Sequence, residues 1–433
     1  MNTSKERTRD EILVLENGRI LDVENERVIE RGVIIVRDKL ISDIGSRGEV
    51  EIPKNVETID LKGNVVLPGL IDAHMHLTGM RTGDLVKEPL LTPYEVFVAR
   101  AIKDLEALLD AGFTTIGDAG SVIALNLKQA VEEGTIIGPR IIASGYPLSQ
   151  TFGHGDEHYL PVEWVDARTT KKLTPMMSLL CDGVDECRKA ARYALRQGAD
   201  FIKVMATGGV LSQRDRPEYI QFSKEELRAI VEEAEHANRF VHAHAQGSKG
   251  IVHAIEAGVK VIAHAIYIDD EGCELAKQRN VVVVPTLSVV EHILRYGEKI
   301  GIPPWGIEKS KEVYEEHISN IRRAYRRGVK LATGTDFMGG REAFRHGDNA
   351  LEIKLLIEKI GMRPIDALKS ATLYAAEAVG LSSLTGSLRK DKYADLIVIK
   401  GNPLDDPDLL LKRENILMIM KEGRIYKNII EKH

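Results

Sequence analysis

Eight short apolar segments recur through the middle of the chain, each followed by a stretch with helical periodicity. They occupy residues 65–72, 113–117, 140–144, 201–205, 240–244, 260–264, 281–284 and 330–333. Strands separated by helices specify parallel pairing, because a parallel neighbour needs a crossover connection. Eight such units close a TIM-type (β/α)8 barrel, an α/β fold whose functional groups sit at the C-terminal ends of the strands. One connecting helix has a clear start, since Ser223 and Glu226 form the pattern of a capping box.

The two ends of the chain read differently. Residues 12–15, 32–36, 56–60, 395–399, 416–420 and 423–426 are short apolar or β-branched runs, with Asn17-Gly18 and Lys62-Gly63 as turn signals. They predict a small β-sandwich domain formed from both termini, residues 1–67 plus 385–433, around a barrel spanning 68–384. An insertion at 157–183, with Trp164, Met176 and Met177, suits a lid over the barrel mouth or a subunit contact.

Composition narrows the class. A chain of 433 residues is too long for one ordinary core. Its 43% hydrophobic and 29% charged residues fit a soluble globular protein. A formal net charge of -6 gives no reason to expect nucleic acid or an anionic membrane as partner. Three cysteines without a C-x-x-C pair imply no disulfide framework. The first ten residues lack the apolar run of a secretory signal, and no apolar run is long enough to span a bilayer. A cytoplasmic setting and assembly into a homo-oligomer are the expectations.

The strand ends carry the chemistry. His74 and His76 are two apart on an extended segment, so both side chains share one face. His242 and His244 repeat that spacing, with His244 the expected ligand and His242 a packed neighbour. His264 closes the next segment, and Asp336 follows the last one. Lys203 interrupts an apolar strand, where burial disfavours its charged form. A neutral amine there can take up carbon dioxide and become a carbamate, an anion able to bridge two cations. The set suits two divalent metal ions, Zn²⁺ by default and Mn²⁺, Co²⁺ or Ni²⁺ as alternatives, about 3.5–4 Å apart.

These motifs resemble the amidohydrolase superfamily, and within it the imidazolonepropionase-like and Xaa-Pro dipeptidase-like branch. The matching pieces are residues 67–76, 201–209, 244–251, Ala263-His264, Gly334-Thr335-Asp336, Thr385-Gly386-Ser387 and 392–398. The resemblance implies that His74, His76 and Asp336 hold one metal, His244 and His264 the other, and carboxylated Lys203 bridges them. It also implies that a metal-bridging hydroxide cleaves an amide bond of an N-acyl amino acid or dipeptide, with Asp336 moving the proton. His154, in Gly153-His154-Gly155, would hold substrate as in similar proteins, or merely order its own turn. Arg214, Arg216 or Tyr219 would grip a substrate carboxylate, with surface salt bridging the plainer role for at least one of the arginines. Tyr267, just after His264, would face either the site or the helix behind it, and His346, after the last strand, would reach the site. Gln246 stands where relatives often carry Tyr or His, which puts dipeptide specificity in question. Alternatives are a lactone or phosphoester hydrolase on the same metals, a mononuclear cyclic-amide hydrolase or deaminase, and a non-catalytic scaffold.

Overall fold

The computed structural model describes residues 12–432. The N-terminal segment inspected for a secretory signal lies outside these residues. Five strands come first: β1 (Ile12–Asp22), β2 (Arg27–Arg37), β3 (Leu40–Ser46), β4 (Glu57–Asp60) and β5 (Val65–Pro68). The middle of the chain supplies β6 (Leu70–Met75), β7 (Phe113–Asp118), β8 (Arg140–Ala143), β9 (Leu148–Ser149) and β10 (Leu179–Leu180). It continues with β11 (Ile202–Met205), β12 (Val241–Ala245), β13 (Val261–His264), β14 (Val282–Val284) and β15 (Lys330–Leu331). The last strands are β16 (Leu396–Ile399), β17 (Ile416–Lys421) and β18 (Arg424–Asn428).

Both termini contribute to one mixed eight-stranded sheet, ordered β18-β17-β16-β5-β1-β2-β3 with β4 against β1. β5 is its junction, running parallel to β1 and antiparallel to β16. Leu13, Ile34, Ile41, Leu396 and Met418, from five different strands, meet in one buried cluster.

The middle forms an α/β layer of two all-parallel sheets, β6-β7-β8 and β10-β9-β11-β12-β13-β14-β15. Helices between the strands cover them, as the alternating sequence requires. The helix Tyr94–Asp110 precedes β7, and the helix Lys224–His236 opens on the expected capping box, with Ser223 Oγ accepting from the Glu226 amide at 3.2 Å. At one seam the two sheets are joined directly: the Ala73 amide donates to Thr333 O at 2.9 Å, and the Asp336 amide to His74 O at 2.7 Å. At the other, the Asp200 amide donates to Ala143 O at 2.8 Å.

The structure differs from expectation at the first parallel strand. Residues 65–72 are two strands, not one. Val65–Pro68 pairs in the mixed sheet, whereas Leu70–Met75 pairs with β7. Gly69 allows the transfer, since a Cβ there would lie 2.1 Å from Thr114 Oγ1. β9 and β10, two residues each, are too short for a strand pattern to show in the sequence.

Arg140 of β8 ties the parallel layer to the mixed sheet. Its guanidinium donates to Asp395 at 2.8 Å and to Glu422 at 2.8 Å, with the Asp395 side chain fully buried. Arg140→Ala would leave that carboxylate without its counter-charge. We expect urea unfolding to show a loss of about 3–5 kcal/mol. A variant as stable as the parent would show that the two layers are held by apolar packing alone.

Candidate active site

The C-terminal ends of the parallel strands converge on one cluster. His74 and His76, two apart on β6 and its exit, are both buried. Each points its Nε2 at Asp336 Oδ1, at 3.3 and 3.1 Å. The ligand atoms of these three residues all lie within 4.8 Å of one another. His264 enters from the other sheet, its ring 5.2 Å from that of His74 and 4.6 Å from that of His244. Lys203, on β11 opposite His242 of β12, is 1% exposed.

His74, His244 and His264 each have a ring nitrogen engaged by a neighbouring group, which fixes the ring, whereas His76 Nδ1 is buried without a hydrogen-bond partner. His74 Nδ1 meets His242 Nε2 at 2.9 Å, so His242 is the packed neighbour that sequence predicts. His244 Nε2 donates to Gly208 O at 3.1 Å, and His264 Nδ1 contacts Thr286 Oγ1 at 2.7 Å. A further layer holds the backbone. His346 and His317 donate to the carbonyls of His76 and His264 at 3.1 and 2.8 Å. Asp72 accepts from Thr335 Oγ1 at 2.7 Å and Asn349 Nδ2 at 2.6 Å, joining β6 to the loop of Asp336.

Backbone strain marks the same positions. His264, Thr286 and Asp336 have φ of 70°, 54° and 57°, the left-handed region that few side chains favour. Gly334 lets that loop press onto β6, because a Cβ would lie 2.7 Å from His74 Cβ.

The electrostatics follow from burial. Removal from water, with Lys203 and other imidazoles adding repulsion, holds His74, His242 and His244 well below the usual histidine range. Burial also holds His264 far below that range, against the opposing pull of Asp336. These rings are therefore neutral, the form that binds metals. Burial brings the Lys203 amine down to about 7, against the opposing pull of Asp336. For Asp336 burial alone would raise the carboxyl, but the hydrogen bond from His76, together with the basic surroundings of His264, His76 and Lys203, takes it down to about 2.

Above the cluster lies a cavity of about 180 Å³, with largely apolar walls. Met176, Met177 and Trp164 from segment 157–183 line it, as do Leu85 and Leu90 from the opposite side. Two predicted substrate residues face it. His154 stacks on His244 with ring centroids 4.1 Å apart, its Nδ1 2.9 Å from Ser212 Oγ and 3.6 Å from Asp215. Gln246 is buried, and its Oε1 has no hydrogen-bond partner.

Other predicted residues do not join them. Arg214, Arg216 and Tyr219 are exposed and outside the cavity lining, and Arg216 lies 3.9 Å from Glu312. Tyr267 is partly buried but also outside the lining, and His346 sits behind His76 rather than in the cavity. Sequence reasoning missed Thr286, His317 and Asp72. Thr286 was findable, being just past the end of β14. It missed Lys309 too, whose Nζ donates to the carbonyls of Gly209, Ser212 and Asp215 at 2.9, 2.6 and 2.9 Å. That anchors the loop that backs His154.

Known proteins resemble this chain over most of its length. The sequence profile of the amidohydrolase family matches residues 65–426. An ochratoxinase from Aspergillus niger is 35% identical over 417 residues, covering 92% of this chain and 83% of the relative. The crystal structure of A. niger ochratoxinase superposes with a TM-score of 0.88 at 33% identity, covering 97% of each chain. A prolidase complexed with N-methylphosphonate-L-proline gives 0.87 at 33% identity, over 96% of this chain and 100% of that one. A Xaa-Pro dipeptidase with methionine bound in its active site gives 0.85 at 31%, again over 96% and 100%. With its profile matched across most of its length and a relative of this identity, the chain belongs to the amidohydrolase family.

Proposed function

We propose that this protein is a metal-dependent hydrolase that cleaves an amide bond of a small substrate, an N-acyl amino acid or a dipeptide. The observation that carries this is the meeting of His74, His76 and Asp336 beside a buried Lys203, at the floor of an apolar cavity. The donors fit divalent ions, because the imidazoles are neutral and the carboxylate is ionised. His74, His76 and Asp336 would hold one ion, His244 and His264 a second, and Lys203 as a carbamate would bridge them. When bound, such ions polarise a carbonyl and lower the pKa of water to about 7.

The chain's own groups supply the rest. Asp336, ionised at neutral pH and pinned by two imidazoles, would take a proton from the attacking water and return it to the departing amine. His154 and Gln246 face the cavity and would orient the substrate. The apolar walls would exclude bulk water, and segment 157–183 would act as the lid. Amino-acid-like ligands in the prolidase and dipeptidase structures support this substrate class. We further infer a closed (β/α)8 barrel over 68–384 and a β-sandwich from 1–67 plus 385–433. The seam hydrogen bonds and the five-strand apolar cluster favour this architecture. Zn²⁺, a cytoplasmic setting and a homo-oligomer complete the proposal.

Two variants test the site. Lys203→Ala should lower the metal bound per chain, measured by elemental analysis, and abolish most turnover, with bicarbonate or short carboxylates restoring part. Unchanged metal content would refute the bridge. Asp336→Asn should keep the circular dichroism of the parent and lose roughly 10²–10⁴-fold in kcat. A fully active variant would remove Asp336 from proton transfer.

A further inference from the structure

One charged group in the cavity has no part in the chemistry above. Glu157 opens the mouth segment and lines the same cavity as His74 and Asp336. Among the described residues, no hydrogen bond or ion pair reaches its carboxylate. Its neighbours worsen its position. Asp156, adjacent in sequence, carries a like charge and is fixed by accepting from the Phe152 amide at 2.8 Å. Tyr159 feels Glu157 and Asp84 as negative charges, in addition to its own burial. His158 cannot compensate, because its two ring nitrogens already serve the Gly153 carbonyl and the Arg214 amide, at 3.2 and 3.3 Å.

The cavity lining contains two amines, Lys172 and Lys203, and neither acts on Glu157. Burial first, then Asp156, pushes the Glu157 carboxyl up to about 7. Glu157 is partly buried, and a carboxylate drawn away from water without a counter-charge is unfavourable; among the described residues none compensates it. A ligand bearing positive charge would. Such a group also repels a substrate carboxylate from this side of the mouth, which gives the cavity a polarity.

We propose that Glu157 determines specificity by receiving the cationic nitrogen group of the substrate. This rests on the amide-hydrolase proposal and narrows its substrate class. The cation is either the free α-ammonium of a dipeptide or a basic side chain. Both present N–H donors that a carboxylate accepts through charge-assisted bonds. N-acyl amino acids with neutral side chains would then be the poorer substrates.

A binding arm and a kinetic arm test this separately. By calorimetry on the metal-loaded enzyme, n-butylguanidinium should bind about 10- to 100-fold more tightly than the neutral 1-pentanol. Glu157→Gln, which keeps a hydrogen-bonding group but loses the charge, should erase that preference, and Glu157→Asp should keep part of it. Equal affinities in parent and Glu157→Gln, or no measurable binding of the cation to the parent, would overturn the proposal. In the kinetic arm, the ratio of kcat/KM for Met-Lys over Met-norleucine locates a basic side chain, and Met-Pro over N-acetyl-Met-Pro locates the α-ammonium. One of these ratios should fall about 10- to 100-fold in Glu157→Gln. If neither moves, Glu157 is not a specificity residue. If the parent hydrolyses none of the four, the amide-hydrolase proposal fails while the binding arm still decides Glu157.

Discussion

Basic nitrogen buried without matching negative charge governs the centre of this molecule. Lys203 and the imidazoles of His74, His242, His244 and His264 crowd around a single carboxylate, Asp336. Water cannot reach them to stabilise protons, so the imidazoles give theirs up and the Lys203 amine is brought down to about 7. What remains is a set of free lone pairs facing one another, which is unproductive for packing and productive for coordinating a cation. The same burial that would destabilise a structural core here prepares a ligand set.

Keeping that set aligned takes more than strand geometry. Thr286, Gly208 and His242 each engage one ring nitrogen, so the rings of His264, His244 and His74 are not free to rotate. Behind them His317, His346 and Asp72 fix the backbone that carries the ligands. The left-handed torsions at His264, Thr286 and Asp336 are held by this surrounding network. The long helix Pro304–Arg326 serves two clients at once: His317 holds the end of β13, and Lys309 anchors the loop beneath His154.

Much of this was legible from residue order. The H-x-H spacing, the lysine inside an apolar strand and the aspartate after the last strand point to the cluster, because strand period and the polarity of parallel β/α units leave few other placements. Long-range pairing was not legible. Val65–Pro68 and Leu70–Met75 are both apolar, and only the partner strands, far away in sequence, assign them to different sheets. Arg214 and Arg216 have the right chemistry for a carboxylate, but their type says nothing about direction, and they face solvent. Lys309 reads as an ordinary helix surface lysine. Its burial depends on three loop carbonyls nearly a hundred residues upstream.

The residues proposed as ligands come from both parallel sheets. His74 lies in the three-stranded one with His76 just past its strand end, whereas Lys203, His244 and His264 belong to the seven-stranded one. Asp336 bridges the join, its amide bonded to the His74 carbonyl and its carboxylate to both upstream imidazoles. A chain arrested before the edges meet therefore owns two incomplete halves, neither with the full grip on a cation. On the proposed function, uptake of an ion would be the last event of maturation, and would certify that the two sheets have met in order.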